Sequence, residues 1–171
     1  IYGCEAYFVP SLPEWREEKQ LAELDKKRAK SDAEATGTTV EDEAASKSAV
    51  KDILSRRSHL ILLVRNQKGL NNLFKMVSES YTPKNFYRYP RIDFEMLEKY
   101  GEGISVASAC MGGVFAGDYW ANRGEGEDAV LAAMRKTASR FKEIFGDNFY
   151  GEVQWNAIPD QHAINKFVIK V

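Results

Sequence analysis

Three residues whose side chains can bind a metal lie in or beside apolar segments that resemble strands: Glu5, His59 and Cys110. Glu5 lies inside the apolar run 1–9, where a carboxylate needs a partner because an unpaired buried charge is costly. His59 opens a second apolar run, and neutral imidazole is the commonest metal ligand in proteins. Cys110 ends a run of small residues, and functional groups in α/β folds cluster where strands end. Glu, His and Cys together form a plausible zinc set, softer than a magnesium site.

Each of these residues also has an ordinary structural interpretation, and the residues alone leave both open. Glu5 could form a structural ion pair, His59 could be a hydrogen-bonded histidine at a strand start, and Cys110 could be a buried, inert thiol. The remaining cysteine, Cys4, faces away from Glu5 by strand alternation and is predicted to pack as a small hydrophobic residue. The other histidine, His162, follows polar neighbours at a helix start and is predicted to lie on the surface.

The elements that must position these side chains follow from hydrophobic periodicity. Apolar segments predict strands, and spacings of three and four predict amphipathic helices between them. The alternation predicts an α/β fold with parallel strands and right-handed crossovers. Because neighbouring parallel strands end at one edge, we expect Glu5, His59 and Cys110 to converge on a common point. The predicted strands lie near 2–7, 59–64, 103–109 and 148–154, and the predicted helices near 67–81, 93–100, 127–145 and 160–171.

A charged segment at about 11–50 interrupts this pattern and resembles an insertion on a compact fold. Residues 14–30 are rich in Glu, Lys and Arg and predict a solvated helix packed at one end. Residues 31–48 are small, polar and acidic, which predicts a flexible loop. We expect residues 16–48 to pack loosely and to be removable, because long surface insertions cost little closure entropy.

The bulk composition limits the function classes. The chain has 171 residues, 44% of them hydrophobic, and a net charge of −1. This size fits about one domain, and the charge gives no support for direct clamping of nucleic acid. One short run, Arg88 to Arg91, mixes basic and aromatic residues, which suits either single-stranded nucleic acid or a solvated loop. Two cysteines and no long apolar run predict a protein of the reducing cytosol with no membrane partner.

Several segments, in order, resemble the PHP (polymerase and histidinol phosphatase) domain of DNA polymerase III alpha subunits. The resemblance runs along the whole chain apart from the insertion. It includes the family's glycine-x-glutamate strand, its histidine strand, its serine-x-cysteine-x-glycine turn and its FGD-x-FY segment. These segments are GCEAY at 3–7, HLILLVRN at 59–66, GLNNL at 69–73, YPRID at 89–93, SACMGG at 108–113, and FGDNFY with the following Glu and Gln at 145–154.

The resemblance implies a fold and a site. The fold is a distorted (β/α)₇ barrel, of which residues 1–171 are expected to be a part truncated at both ends. The resemblance assigns ligand roles to Glu5, His59 and Cys110, for zinc, manganese or magnesium. Further histidine and aspartate ligands are expected before Ile1 and after Val171, so the chain by itself is expected to be inactive.

The resemblance also implies a function within a replicative DNA polymerase. In some alpha subunits the domain hydrolyses phosphoesters and removes 3′-terminal nucleotides by metal-assisted chemistry. In others it is a non-catalytic module that docks a separate proofreading exonuclease. A free-standing phosphatase of the same family is a third alternative. The expected partners are therefore DNA through the parent polymerase, the polymerase core, and a proofreading exonuclease subunit.

Overall fold

The computed structural model describes residues 1–36 and 56–171. Within these ranges the chain forms a mixed α/β fold with six strands and six α-helices. The strands are β1 (Gly3–Phe8), β2 (Ser58–Val64), β3 (Phe86–Tyr87), β4 (Tyr89–Pro90), β5 (Ile104–Ala107) and β6 (Phe149–Tyr150). The helices are α1 (Leu12–Thr36), α2 (Gln67–Ser80), α3 (Phe94–Tyr100), α4 (Val114–Asn122), α5 (Glu127–Phe145) and α6 (Pro159–Val168).

Four of the strands form the main sheet, in the order β1-β2-β5-β6. β1 pairs antiparallel with β2, so that Tyr7 lies opposite His59. β2 also pairs antiparallel with β5, with Ile61 opposite Ala107, whereas β5 and β6 are parallel. The prediction of an α/β fold is confirmed, but the prediction of parallel strands is wrong for two of the three pairings.

The physical reason for this error lies in what an apolar run encodes. A strand sequence specifies which side chains alternate between the two faces, but it does not specify chain direction. The long connection between β1 and β2 can return the chain in either direction, and the right-handed crossover rule applies only to parallel pairs. A continuous apolar run such as 59–64 is typical of parallel strands that are buried on both faces. Instead, Leu63 is 40% exposed on the face opposite Leu60 and Leu62.

The sheet therefore has one buried face, which forms the centre of the core. Leu60 and Leu62 from β2 and Ile104 and Val106 from β5 point to this face and are fully or almost fully buried. Helices α2, α3 and α5 contribute to the same hydrophobic cluster, because their apolar residues recur every three or four positions. These helical residues are Leu73, Met76, Met96, Leu97, Val130, Met134, Phe141 and Phe145.

Aromatic rings join this core to the end of the sheet. Phe141 of α5 stacks on Phe149 of β6, with ring centroids 4.8 Å apart and planes within 9°. Phe8 and Phe94 both pack against Phe141 in tilted arrangements, and they contact each other edge to face. Such rings bury large apolar areas and favour offset or edge-to-face contact. They connect β1, α3, α5 and β6 into one packed unit.

Helix α1 forms the first part of the predicted insertion. Its first half packs against the rest of the protein more closely than expected. Trp15 is buried, Arg16 donates to the Asn85 side chain (3.0 Å), and the Lys19 ammonium lies 4.8 Å from the Tyr87 ring. Farther along, Leu21 and Leu24 are exposed. The helix also continues to Thr36, so the loop predicted from residue 31 begins later than expected. The rest of that predicted loop, residues 37–48, lies outside the described residues.

Two smaller elements were not predicted. The aromatic segment 83–90 contains the two-stranded β3–β4 hairpin, and helix α4 follows directly after Gly113. Helix α4 was missed because Gly117 and several aromatic residues weaken its helical pattern. The strand predicted at 148–154 is reduced to Phe149–Tyr150. None of the helices that the structure describes has the length and apolar content that a bilayer span requires.

Candidate metal centre

The less buried face of the main sheet carries two of the candidate ligands. Glu5 pairs with Ile61 and Tyr7 pairs with His59 across β1 and β2. Directly opposed residues point to the same face of a sheet, and diagonal neighbours lie within reach of long side chains. Glu5 and His59 are such diagonal neighbours, and the Glu5 carboxylate lies 2.6 Å from His59 Nδ1. Strand register therefore brings the first two candidates into direct contact.

The reversed direction of β2 explains why a residue at a strand start can join this site. Because β2 runs antiparallel to both neighbours, its first residues lie beside the last residues of β1 and β5. His59 consequently lies at the edge where β5 ends and the chain continues to Cys110. A parallel β2 would have placed His59 at the opposite edge of the sheet.

Cys110 reaches the site from a tight turn after β5. The turn begins with Ala109, whose φ of 61° lies in the left-handed region that non-glycine residues rarely adopt. It is closed by a hydrogen bond from Gly113 N–H to the Cys110 carbonyl (2.8 Å). The indole of Trp120 in α4 donates to the Met111 carbonyl (3.2 Å) and anchors the turn. This geometry places Cys110 Sγ 3.5 Å from His59 Nδ1.

The three candidates thus converge as predicted. Ligand atoms of Glu5, His59 and Cys110 all lie within 4.8 Å of one another. Among the described ranges 1–36 and 56–171, no other group of three His, Cys, Asp or Glu residues meets this condition. Glu5 is exposed, whereas His59 and Cys110 are partly buried, so the cluster opens to solvent on one side.

The geometry of the cluster is close to that needed for a single divalent ion. Ligands at about 2.0–2.3 Å from a tetrahedral zinc are separated by about 3.3–3.8 Å from one another. The contact between Cys110 and His59 is already in this range, whereas Glu5 and His59 are closer, at hydrogen-bond distance. For a tetrahedral ion, the Glu5 carboxylate would have to move about 1 Å away from His59 Nδ1, and the third pair, Glu5 and Cys110, would have to reach the same spacing. Three protein ligands also leave a fourth position for water or another ligand.

An aromatic and cationic layer lies beside the cluster. The Tyr7 ring packs 5.4 Å from the His59 ring and 5.1 Å from the Tyr89 ring. The Arg57 guanidinium lies 4.8 Å from the Tyr7 ring and 4.4 Å from the Tyr89 ring, within cation–π range. This layer could not be predicted from the sequence, because its members come from β1, from the residues at and just before the start of β2, and from the β3–β4 hairpin.

The remaining cysteine and histidine lie elsewhere, as predicted. Cys4 points to the opposite face of β1 from Glu5 and packs against the core. Burial raises the pKa of the Cys4 thiol, which favours the neutral form over a metal-binding thiolate. His162 is exposed on α6, with its ring 6.1 Å from the Trp155 ring.

Comparison with known protein families gives this cluster a context. The family model described as the PHP domain matches residues 1–156. The chain belongs to the PHP domain family. The match includes all three candidate ligands and the whole main sheet, and PHP domains form a metal-dependent family.

Curated relatives of this PHP chain are named as DNA polymerases. The chain is 42% identical over 113 residues to the DNA polymerase III subunit alpha of Aquifex aeolicus, covering 66% of this chain and 9% of the relative. It is 43% identical over 121 residues to that of Borreliella burgdorferi, covering 70% and 10%. It is 52% identical over 90 residues to the PolC-type DNA polymerase III of Staphylococcus aureus, covering 53% and 5%. The chain thus spans about a tenth or less of the relatives it matches.

Proposed function

We propose that this PHP chain is part of a replicative DNA polymerase of the polymerase III alpha type, and that Glu5, His59 and Cys110 contribute to a divalent metal site that hydrolyses phosphoesters. The observation that carries the proposal is the convergence of three ligand atoms within 4.8 Å in a chain of the PHP family. The names of the polymerase relatives support the wider context.

Each of the three residues would supply a different ligand atom to such a site. Glu5 supplies a carboxylate oxygen, His59 an imidazole nitrogen and Cys110 a sulfur, and the sulfur favours zinc over manganese or magnesium. The Glu5–His59 contact orients both side chains before an ion arrives. A bound divalent ion would stabilise charge on the phosphoester and activate water. The open side of the cluster leaves room for a 3′-terminal phosphodiester, in keeping with an exonuclease-type reaction.

The proposed fold of the intact domain is the distorted (β/α)₇ barrel that the resemblance implies. In this proposal, residues 1–171 form part of the barrel, and the charged segment at about 11–50 is an insertion on it. Further histidine and aspartate ligands would come from the rest of the protein. The proposed partners are DNA, the polymerase core of the same protein and a proofreading exonuclease subunit, all in the cytoplasm.

The two cysteines provide a matched test of the metal site. In the full-length protein that carries this chain, Cys110→Ala should lower bound metal, because it removes a ligand. Cys4→Ala should leave metal content unchanged, because Cys4 packs on the opposite face. Metal content of each purified protein is measured by elemental mass spectrometry. Release of 3′-terminal nucleotides from a primer is measured beside primer extension, which serves as a control for the polymerase core.

The outcomes separate the candidate functions. Loss of metal and of nucleotide release in Cys110→Ala, with extension retained, supports the metal-dependent hydrolase. Bound metal without nucleotide release in the unsubstituted protein would instead favour the non-catalytic module that docks an exonuclease. Absence of bound metal, or equal metal content in both cysteine variants, would rule out the proposed site. Absence of any primer extension would point to the free-standing phosphatase.

A further inference from the structure

We propose that Gly112 is a positioning residue that holds the His59 imidazole and the Cys110 sulfur where both can bind the metal. The inference rests on the proposed metal site and adds a residue that contributes no side-chain ligand. It follows from three contacts that Gly112 makes with two of the three candidate ligands.

Two of these contacts are hydrogen bonds of the Gly112 backbone. Its N–H donates to Cys110 Sγ at 3.4 Å, and its carbonyl accepts the backbone N–H of His59 at 2.7 Å. The first bond directs the sulfur, and the second fixes the start of β2 against the turn. Hydrogen bonds of this kind to metal ligands set their orientation and are part of the site's design.

The third contact explains why the position suits glycine. A Cβ atom on residue 112 would lie 3.3 Å from both Nδ1 and Cε1 of the His59 ring and 3.4 Å from Cγ. The Gly112 backbone therefore forms a flat wall against the face of the imidazole. A methyl group there would force the ring, or the turn, to move by a few tenths of an ångström.

Gly112 differs in this respect from its neighbour Gly113. A Cβ on Gly113 would lie 1.9 Å from the Ser108 carbonyl oxygen, so substitution there would break the turn itself. At Gly112 the three nearest atoms all belong to the His59 side chain, and the backbone is not in the left-handed region. Substitution of Gly112 by alanine should therefore leave the fold intact and displace the ligand.

Cobalt binding tests this inference in the full-length protein. Gly112→Ala should weaken Co²⁺ affinity by about 10-fold or more, the usual effect of losing an outer-shell contact. The sulfur-to-cobalt charge-transfer band and the visible ligand-field bands should change in shape and intensity. The Co²⁺ affinity and the absorption spectrum are measured by titration well below the melting temperature of each protein. A loss of stability alone therefore does not change either quantity.

Two other glycines provide matched controls. Among the residues that the structure describes, a Cβ on Gly117 meets only Ser58 Oγ at 3.6 Å, and a Cβ on Gly124 meets nothing within 4 Å. Gly117→Ala and Gly124→Ala should therefore bind Co²⁺ as the unsubstituted protein does. Equal affinity and spectra in Gly112→Ala and the unsubstituted protein would overturn the inference while leaving the metal site intact. So would an equal loss in all three variants.

A measurement on the unsubstituted protein covers the case in which Gly112→Ala does not fold. Amide hydrogen exchange in a peptide covering 108–114 should slow when Co²⁺ is added, because the Gly112 N–H bonds to a sulfur that the ion would hold in place. Unchanged exchange in a protein that binds Co²⁺ would contradict the role of Gly112. Failure of the unsubstituted protein to bind Co²⁺ at all would remove the proposed function, and with it this inference.

Discussion

Arg91 is a charged residue with no exposed surface, held by the backbone around it. Its Nη1 donates to the carbonyls of Tyr87 and Tyr89 at 3.0 Å, its Nε donates to the Arg56 carbonyl at 3.3 Å, and it stacks 4.4 Å from the Trp15 ring. Burial, with a smaller effect of the Arg57 charge, lowers the pKa of Arg91 to about 10. The side chain is therefore charged at neutral pH and organises the β3–β4 hairpin.

Arg91→Lys should consequently lower the free energy of unfolding by about 2–3 kcal/mol, because an ammonium cannot replace the planar fork and leaves buried carbonyls without donors. Arg88→Lys is the matched control, since Arg88 is exposed, and it should change stability by about 0.5 kcal/mol or less. Urea denaturation measures both. Equal midpoints for the two variants would show that Arg91 does not organise the hairpin.

The residue scale also shows what side-chain chemistry can and cannot predict. The convergence of Glu5, His59 and Cys110 could be predicted because each has a side chain that can bind a metal and lies in or beside an apolar run. Their role as metal ligands stays a prediction. The role proposed for Gly112 could not be predicted, because it lies in the absence of a side chain and depends on how closely His59 approaches. Arg91 was grouped with an exposed basic and aromatic run that would suit nucleic acid or solvent, and its burial shows that interpretation to be wrong for this residue.

At the scale of elements, the contact between α4 and α5 contains a carboxylate in an unfavourable setting. Desolvation raises the pKa of Asp118 above its ordinary value of 3.8, although a Thr137 side-chain hydrogen bond partly opposes the shift. One carboxylate oxygen, Oδ2, is buried without a hydrogen-bond partner among the described residues. The ionised form of Asp118 therefore opposes the packing of these two helices at neutral pH.

This setting predicts a pH dependence of stability. A carboxyl whose pKa is higher in the folded state contributes stability below its unfolded pKa and loses it as the pH rises through the folded pKa. Asp118→Asn should therefore raise the melting temperature at pH 7, and the gain should shrink toward pH 3.5. Melting curves of both proteins across this range measure it. A gain that is the same at every pH would exclude titration of Asp118 as the cause.

The elements themselves could be predicted where the sequence signal is local. Aspartate is a preferred residue at a helix start, and the carboxylate of Asp93, at the start of the predicted helix 93–100, accepts the Met96 N–H at 3.0 Å. Helix α5 follows from apolar residues every three or four positions. Strand direction could not be predicted, because the pairing of β1 with β2 depends on contacts between segments about fifty residues apart. The same reversal places His59 beside Cys110.

At the scale of the whole molecule, the boundary of the proposed insertion can be tested with single substitutions. Trp15 is buried in α1 and stacks on Arg91, whereas Leu24 on the same helix is 51% exposed. Trp15→Ala should lower the free energy of unfolding by about 3–5 kcal/mol through loss of buried contact. Leu24→Ala should change it by about 0.5 kcal/mol or less. Chemical denaturation compares the two.

That residues 16–48 can be removed without unfolding the protein remains a prediction. The contacts of α1 indicate that the removable segment begins later than residue 16. A deletion that starts after Leu24 keeps Trp15, Arg16 and Lys19 in place, and it should be tolerated better than one that starts at residue 16. A Trp15→Ala variant as stable as Leu24→Ala would show that α1 contributes nothing to the core and would restore the original boundary.

The long sequence separations of the three candidate ligands also affect folding. An ion held by Glu5, His59 and Cys110 would close two consecutive loops, each of roughly fifty residues, around β2. In the chain-entropy description used for covalent cross-links, closing one such loop restricts the unfolded chain by about 4 kcal/mol. The ion would thus cross-link β1, β2 and β5, so that these strands separate together rather than one at a time. In cells that lack the metal, this sheet would then be the first part of the protein to open to proteases.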